Sequence, residues 1–247
     1  MYSPEIVLSF NEVMFYFSRA AVGAGLPYGL AEDFGRSSIW IAASGLDPAR
    51  ITSKTLKSLD KAQSSLCASQ TEIGAETLLK PSGGKQLSAL FAGPSVCDWI
   101  LGKKAVSDKT QHFVVEQVDH PFLIAAAVGA LKIGNWEIYW KDTGGSLCHV
   151  LIGQIGNWKI SLEGNEIFQQ HSPADVSIKS VESSLFSSKK WIEESTYSEK
   201  NRQVVLESGV PIYEAWPIIH KLFSRCLVPS TAESHKSGAG AGLVDKD

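Results

Sequence analysis

Ile133-Gly134-Asn135-Trp136-Glu137-Ile138 returns as Ile155-Gly156-Asn157-Trp158-Lys159-Ile160, five identities in six positions. In both copies a Gly-Asn pair precedes an alternating run. Gly and Asn tolerate left-handed backbone angles, and period-two alternation marks a strand with one buried face. Trp136, Ile138 and Trp140 then share one sheet face, and Glu137 and Tyr139 share the other. Trp158, Ile160 and Leu162 repeat the pattern, with Lys159 and Ser161 opposite. Between the copies, Lys141 to Gly145 reads as a hairpin loop. The block predicts an antiparallel meander that floors the core.

Helices precede and follow that floor. Ser9 and Glu12 form a capping-box pattern, and Val13, Met14, Phe17, Ala20 and Ala21 recur behind it at helical spacing. Gly23, Gly25 and Pro27 stop this helix, and a second runs from about Leu30 to Ser44, with Phe34, Trp40 and Ile41 inward. Asp47-Pro48 opens a third, carried by Ile51, Leu56, Leu59 and Leu66. Thr71 to Lys85 reads as irregular, and Gly93-Pro94 as a break after which Ser95 caps a new helix. His112 to Val118 alternates as a strand, Asp119-His120-Pro121 turns, and Phe122 to Leu131 is long enough for a buried helix, with a buried strand as the competing reading. Val176 and Ile178 mark another strand, Ser183 to Asn201 a surface excursion with a strand near Trp191, and Val204 to Leu206 a short β-prone run. Trp216, Ile219, Phe223 and Cys226 line a last helix with Pro217 in its first turn.

The chain therefore reads as α+β: an N-terminal helical layer packed on a mostly antiparallel β-sheet meander, with a C-terminal helix and a Gly-Ala tail. One domain spans 1–228 (helical layer 1–70, mixed sheet 71–210, closing helix 211–228), and 229–247 is the tail.

Composition excludes several functions. A formal charge of -3 gives no basic field for nucleic acid or an anionic membrane. The start lacks a basic region followed by an apolar core, and Phe122 to Leu131 is about half a membrane span, so a cytoplasmic location is expected. The four cysteines, Cys67, Cys97, Cys148 and Cys226, lie far apart and read as reduced, mostly buried thiols. No two of the six histidines stand at metal-ligand spacing, so no metal site is expected and no cofactor is indicated. A phosphate loop fails because Leu79 and Gln86 stand where glycine and a hydroxyl residue are needed.

Some residues carry two readings. Trp136 and Trp158 are core aromatics, or a sugar-stacking pair with Asn135 and Asn157. His149, within the apolar run Leu147 to Ile152, is a paired core imidazole or a site residue, pairing being the usual solution to burial. Ser95 is a helix cap or a nucleophile, although Cys97 replaces the second glycine of a nucleophile elbow. Glu32 and Asp33 are solvated charges or a site beyond a Gly-rich turn. The tail is flexible by composition, or a segment whose small residues permit close approach.

The two ends together resemble an uncharacterised bacterial family, domain of unknown function 3726. At the front the resemblance rests on Ser9-x-Asn11-Glu12, on Arg19 to Glu32 with Gly23, Gly25, Pro27 and Gly29, and on Trp40 to Leu46. At the back it rests on Val228-Pro229-Ser230, Glu233-Ser234, the run with Gly238, Gly240 and Gly242, and Asp245 and Asp247. His235 and Lys246 depart from the arginine and asparagine of the family pattern, which weakens a charge role there. The resemblance implies a soluble bacterial protein and supplies no reaction, but a recurring Gly-Ala tail implies a docking place for it.

Two functions follow as expectations. One is a binding or accessory domain whose small-molecule or protein partner sits between the N-terminal helix pair and the tail, through Arg19, Gly23, Gly25, Glu32, Ser234, Gly238, Gly240 and Gly242. The other is an enzyme on a small anionic metabolite, with Arg19 or His235 holding the anion and Glu32 or Glu233 moving a proton, His235 also counting as a catalytic candidate. Oligomeric state is not legible in the sequence.

Overall fold

The computed structural model of the protein describes residues 5–73, 76–104, 111–141, 143–162, 173–182 and 199–227. Ser9 opens α1 (Phe10–Gly23) with a complete capping box: the Glu12 amide donates to Ser9 Oγ at 3.3 Å and the Ser9 amide to Glu12 Oε2 at 2.8 Å. Two amides that a helix start leaves without partners are thereby satisfied. After the Leu26-Pro27 turn comes α2 (Tyr28–Ala43). Asp47 caps α3 (Pro48–Asp60) by accepting from the amides of Ala49 and Arg50, with Pro48 in the first turn, where no donor is needed. Further along are α4 (Ala89–Lys104), α5 (Phe122–Leu131), α6 (Glu199–Ser208) and α7 (Trp216–Ser224).

The strands are β1 (Ile6–Leu8), β2 (Ser64–Ser65), β3 (Ala68–Ile73), β4 (Glu76–Pro81), β5 (Gln86–Leu87), β6 (His112–Val118), β7 (Trp136–Lys141), β8 (Leu147–Ile152), β9 (Trp158–Leu162), β10 (Ala174–Ser180) and β11 (Val210–Ile212). One sheet runs β2-β5-β6-β10-β7-β8-β9, with β4 also along β6 and β3 along β4, and β1 pairs β11 in a separate ribbon. The β2–β5, β5–β6 and β4–β6 pairs are parallel and the others antiparallel, so the α+β reading holds with a mixed sheet. The expected β7-β8-β9 meander is present: Ile138 faces Val150, which faces Ile160, and Trp136 and Trp158 both oppose Ile152.

The Trp-rich face of this meander meets α2 and α5. Trp40 on α2 lies 5.5 Å from the Trp158 ring and 6.3 Å from Phe122, centroid to centroid. The small residues of α5 make this possible, because a Cβ on Gly129 would fall 2.4 Å from the Trp40 ring. Aromatic packing of this kind dominates the energetics of a core.

Four expectations need correction. α3 ends at Asp60 rather than reaching Leu66, because Ala62 turns left-handed (φ 54) and Gln63 and Ala62 donate back to Ser58 and Leu59 in a Schellman closure. Thr71 to Lys85 includes most of the β3–β4 hairpin, whose polar, exposed outer strand carries no alternation to read. α4 continues through Pro94, and Ser95 is no cap: its hydroxyl donates to the Phe91 carbonyl at 2.9 Å. Gly93 lets α4 press on α5, and that packing outweighs the hydrogen bond Pro94 removes. Val204 to Leu206 are helical within α6, where context overrides a weak β preference. The strand expected near Trp191 lies outside the described residues.

Candidate functional site

The described candidates do not all converge. Arg19, on α1, holds its guanidinium 4.1 Å over the Phe15 ring, and its carbonyl accepts from the Cys226 thiol at 3.2 Å. Gly23 is where α1 touches α7: a Cβ there would fall 2.0 Å from the Leu222 carbonyl oxygen. Its own carbonyl accepts from Arg225 at 3.0 Å, while the same guanidinium forks onto Asp60 and holds that carboxyl below its usual range. Gly25 occupies the turn with φ 98, and Glu32 is half-buried on α2, with no ion pair to Arg19 among the described residues. Arg19 and Gly23 are thus brought to Arg225 and Cys226, near the last described residue. Glu233, Ser234, His235, Gly238, Gly240 and Gly242 lie outside the described residues.

The sugar-binding alternative fails. Trp136 and Trp158 are 4% and 1% exposed, and both indoles donate internally, to the Ile133 carbonyl at 2.6 Å and the Ser44 hydroxyl at 2.9 Å. No ring face remains for a sugar. His149 is not a core imidazole either, since Cys148 and Val150 point inward and His149 meets Glu137 on the opposite face at 2.7 Å.

The most perturbed acid–base pair lies where the sequence shows only a turn. The carboxyl end of β6 meets the starts of α4 and α5 beside α3. Asp119 is 1% exposed and accepts from Thr55 Oγ1 at 3.0 Å and from the Ala89 amide, the first of α4, at 2.8 Å. Burial pushes its carboxyl up to about 6, against the pull of the Ala89 and Thr55 hydrogen bonds. His120 follows, half-buried; burial holds its imidazole down to about 4, and the Lys54 charge acts in the same direction. At neutral pH the imidazole is therefore neutral, able to donate through one nitrogen and accept through the other. An Asp-His pair between a strand and a buried helix was the available signal, because strand ends in open sheets border a crevice.

A separate cleft of about 270 Å³ lies between α2, α4 and α5, lined by Asp33, Arg36, Cys97 and Asp98 among others. Asp33 and Arg36 are paired at 2.7 Å. Burial raises the Cys97 thiol to about 12, which leaves it unreactive, and burial with Asp33 nearby raises Asp98. The expectation of mostly buried thiols needs correction, since Cys148 is buried, Cys97 half-buried, and Cys67 and Cys226 are exposed. No group of three His, Cys, Asp or Glu side chains is placed to hold a metal among the described residues. No helix among them is long and apolar enough to cross a membrane.

Residues 8–79 match the family described as Protein of unknown function (DUF3726), in agreement with the resemblance at the front of the chain. No curated protein matches the sequence. In fold the chain is similar to malate dehydrogenase from Pyrococcus horikoshii OT3, with TM-score 0.59 and 11% identity over 94% of this chain and 99% of that one. A putative malate/lactate dehydrogenase from E. coli gives TM-score 0.58 and 12% identity over 94% and 98%. Sulfolactate dehydrogenase from Methanocaldococcus jannaschii gives 0.60 and 8% over 88% and 96%. At these identities the likeness is one of fold.

Proposed function

We propose that the protein is an enzyme that binds a small anionic metabolite at the junction of β6 with α4 and α5. The observation that carries this reading is the Asp119–His120 pair, whose environments drive the two groups' affinities for protons in opposite directions. Opposed shifts of that kind are how a site divides acid and base roles. Lys54 attracts the anion, the neutral His120 imidazole bonds a hydroxyl or carbonyl oxygen of the ligand, and Asp119 is a positioning residue behind them. The start of α5 adds a favourable field for negative charge. Malate, lactate and sulfolactate, for which the fold relatives are named, are small carboxylates and define the ligand class to test. A soluble protein of the bacterial cytoplasm is part of the same reading.

The test is a thermal-shift series with these three carboxylates. A true ligand at a hundred times its dissociation constant adds about 2.7 kcal/mol of stability. A flat response to all three would count against the reading.

A second reading, the accessory domain with its site between the N-terminal helix pair and the tail, is supported by Arg225 and Cys226. Their contacts with Gly23 and Arg19 deliver the chain to the helix pair just before residue 228. In that reading Glu32, Glu233, Ser234, His235 and the glycines Gly238, Gly240 and Gly242 close around a ligand or partner beside Arg19, Gly23 and Gly25.

A further inference from the structure

The sheet face opposite Trp136, Ile138 and Trp140 carries an ordered set of reactive side chains. Register places Ser177 beside Tyr139, Lys179 beside Glu137, Tyr139 beside His149 and Glu76 beside His112. Strand register sets Ser177 directly opposite Tyr139, and Lys179, two residues on along the same face, holds its Nζ 5.4 Å from the Tyr139 ring centroid. Ser177 Oγ is in turn 2.8 Å from His112 Nε2, and His112 Nδ1 is 2.9 Å from Glu76 Oε2. On the other side His149 stands edge-on to Tyr139 with centroids 6.2 Å apart, and its Nε2 is 2.7 Å from Glu137 Oε1. The His149 and Glu137 side chains are only 15% and 19% exposed, unlike the solvated pairs an open sheet face usually carries. A phenol flanked by a hydroxyl and an ammonium, with two carboxylate-backed imidazoles beside it, is more chemistry than sheet pairing requires.

We propose that this face is a second site, at which Tyr139 exchanges a proton with small carbonyl compounds that have a hydrogen on the neighbouring carbon. In the forward step the Tyr139 oxyanion takes that hydrogen as a proton. The C–H electron pair becomes the carbon–carbon double bond of the enolate, and the carbonyl pair moves onto oxygen, where the Lys179 ammonium meets it. The reverse step returns a proton to carbon, and nothing is oxidised or reduced. Ser177, His112 and Glu76 form the hydrogen-bonded route by which the proton leaves Tyr139 for solvent. The groups around the phenol act in the required sense: the Ser177 hydroxyl and Lys179 hold it below its usual range, against burial and the Glu137 charge. Matching a base toward neutrality in this way is what general base catalysis needs. This site is independent of His120 and Lys54.

The experiment is proton NMR of pyruvate in heavy water with the full-length protein, following replacement of the methyl hydrogens by deuterium. The wild type is expected to accelerate exchange, increasingly as pH rises and Tyr139 ionises. Tyr139→Phe, which keeps the ring, should slow it at least about a hundredfold, and Lys179→Met should do the same. Ultraviolet titration should show one tyrosine ionising ahead of the rest in the wild type and none in Tyr139→Phe. Exchange at the buffer rate with wild type, or undiminished in Tyr139→Phe, overturns the proposal.

Discussion

The indole Nε1 of Trp40 donates a 2.8 Å hydrogen bond to the carbonyl oxygen of Gly156, so α2 is tied to the second copy of the repeated phrase. The contact is tight from both sides, since a Cβ on Gly156 would fall 2.8 Å from the Gly129 carbonyl oxygen. Trp40→Phe keeps most of the ring and leaves a buried carbonyl without its donor, which destabilises by about 1–3 kcal/mol. Gly129→Ala drives a methyl group into the indole, and overpacking of this kind costs about 1–3 kcal/mol. Urea unfolding midpoints of the two variants check both values, and a midpoint equal to wild type would remove the contact from the account.

At the other end of α1, Gly23→Ala places its methyl group against the backbone carbonyl of Leu222, which cannot rotate away. The expected result is a loss of about 1–3 kcal/mol with α7 displaced. Thermal unfolding of Gly23→Ala beside Gly29→Ala separates contact from helix effects, because nothing lies within 4 Å of a Cβ on Gly29. Equal melting temperatures would contradict the close approach.

Asp119 and His120 make opposite contributions to stability against pH. The folded carboxyl titrates near 6 rather than 3.8, so between about 4 and 6 the folded state holds a proton the unfolded state has released, and stability falls as pH rises. The folded imidazole titrates near 4 rather than 6.5, so over about 4 to 6.5 the folded state holds fewer protons, and stability rises with pH. The two partly cancel in the wild type. Asp119→Asn should leave a curve that rises through this window, and His120→Gln one that falls. Denaturant unfolding at several pH values reads the slopes, and identical slopes in the two variants would refute the assignment.

The tail has a simple test. Removing residues 237–247 lowers the melting temperature if the tail docks beside Arg19 and Gly23, and leaves it unchanged otherwise.

The sequence disclosed what local chemistry dictates. The Ser9 box, the Asp47 cap and the β7-β8-β9 meander were legible because each rests on short-range pattern, whereas Phe122 to Leu131 left helix and buried strand open. The β3–β4 hairpin was not legible, because β3 is a polar outer strand with no buried face to impose alternation. Pro94 misled because a single lost hydrogen bond is outweighed by the packing of α4 on α5, which no local signal reports. Of the site, the Asp119-His120 pair was visible as residues but not as chemistry. Its perturbation comes from burial, in a niche whose hydrogen-bond partners Thr55 and Ala89 are 64 and 30 residues away in sequence. Tyr139 and Ser177 are likewise neighbours only through strand pairing.

The central claim is that a small carboxylate binds at His120 and Lys54. Isothermal titration of malate, lactate and sulfolactate into the wild type, Lys54→Ala and His120→Gln tests it most directly. The account predicts saturable binding of at least one of them to the wild type, weakened tenfold or more in each variant, about 1.4 kcal/mol. Binding of equal strength in all three proteins, or none in the wild type, would contradict it.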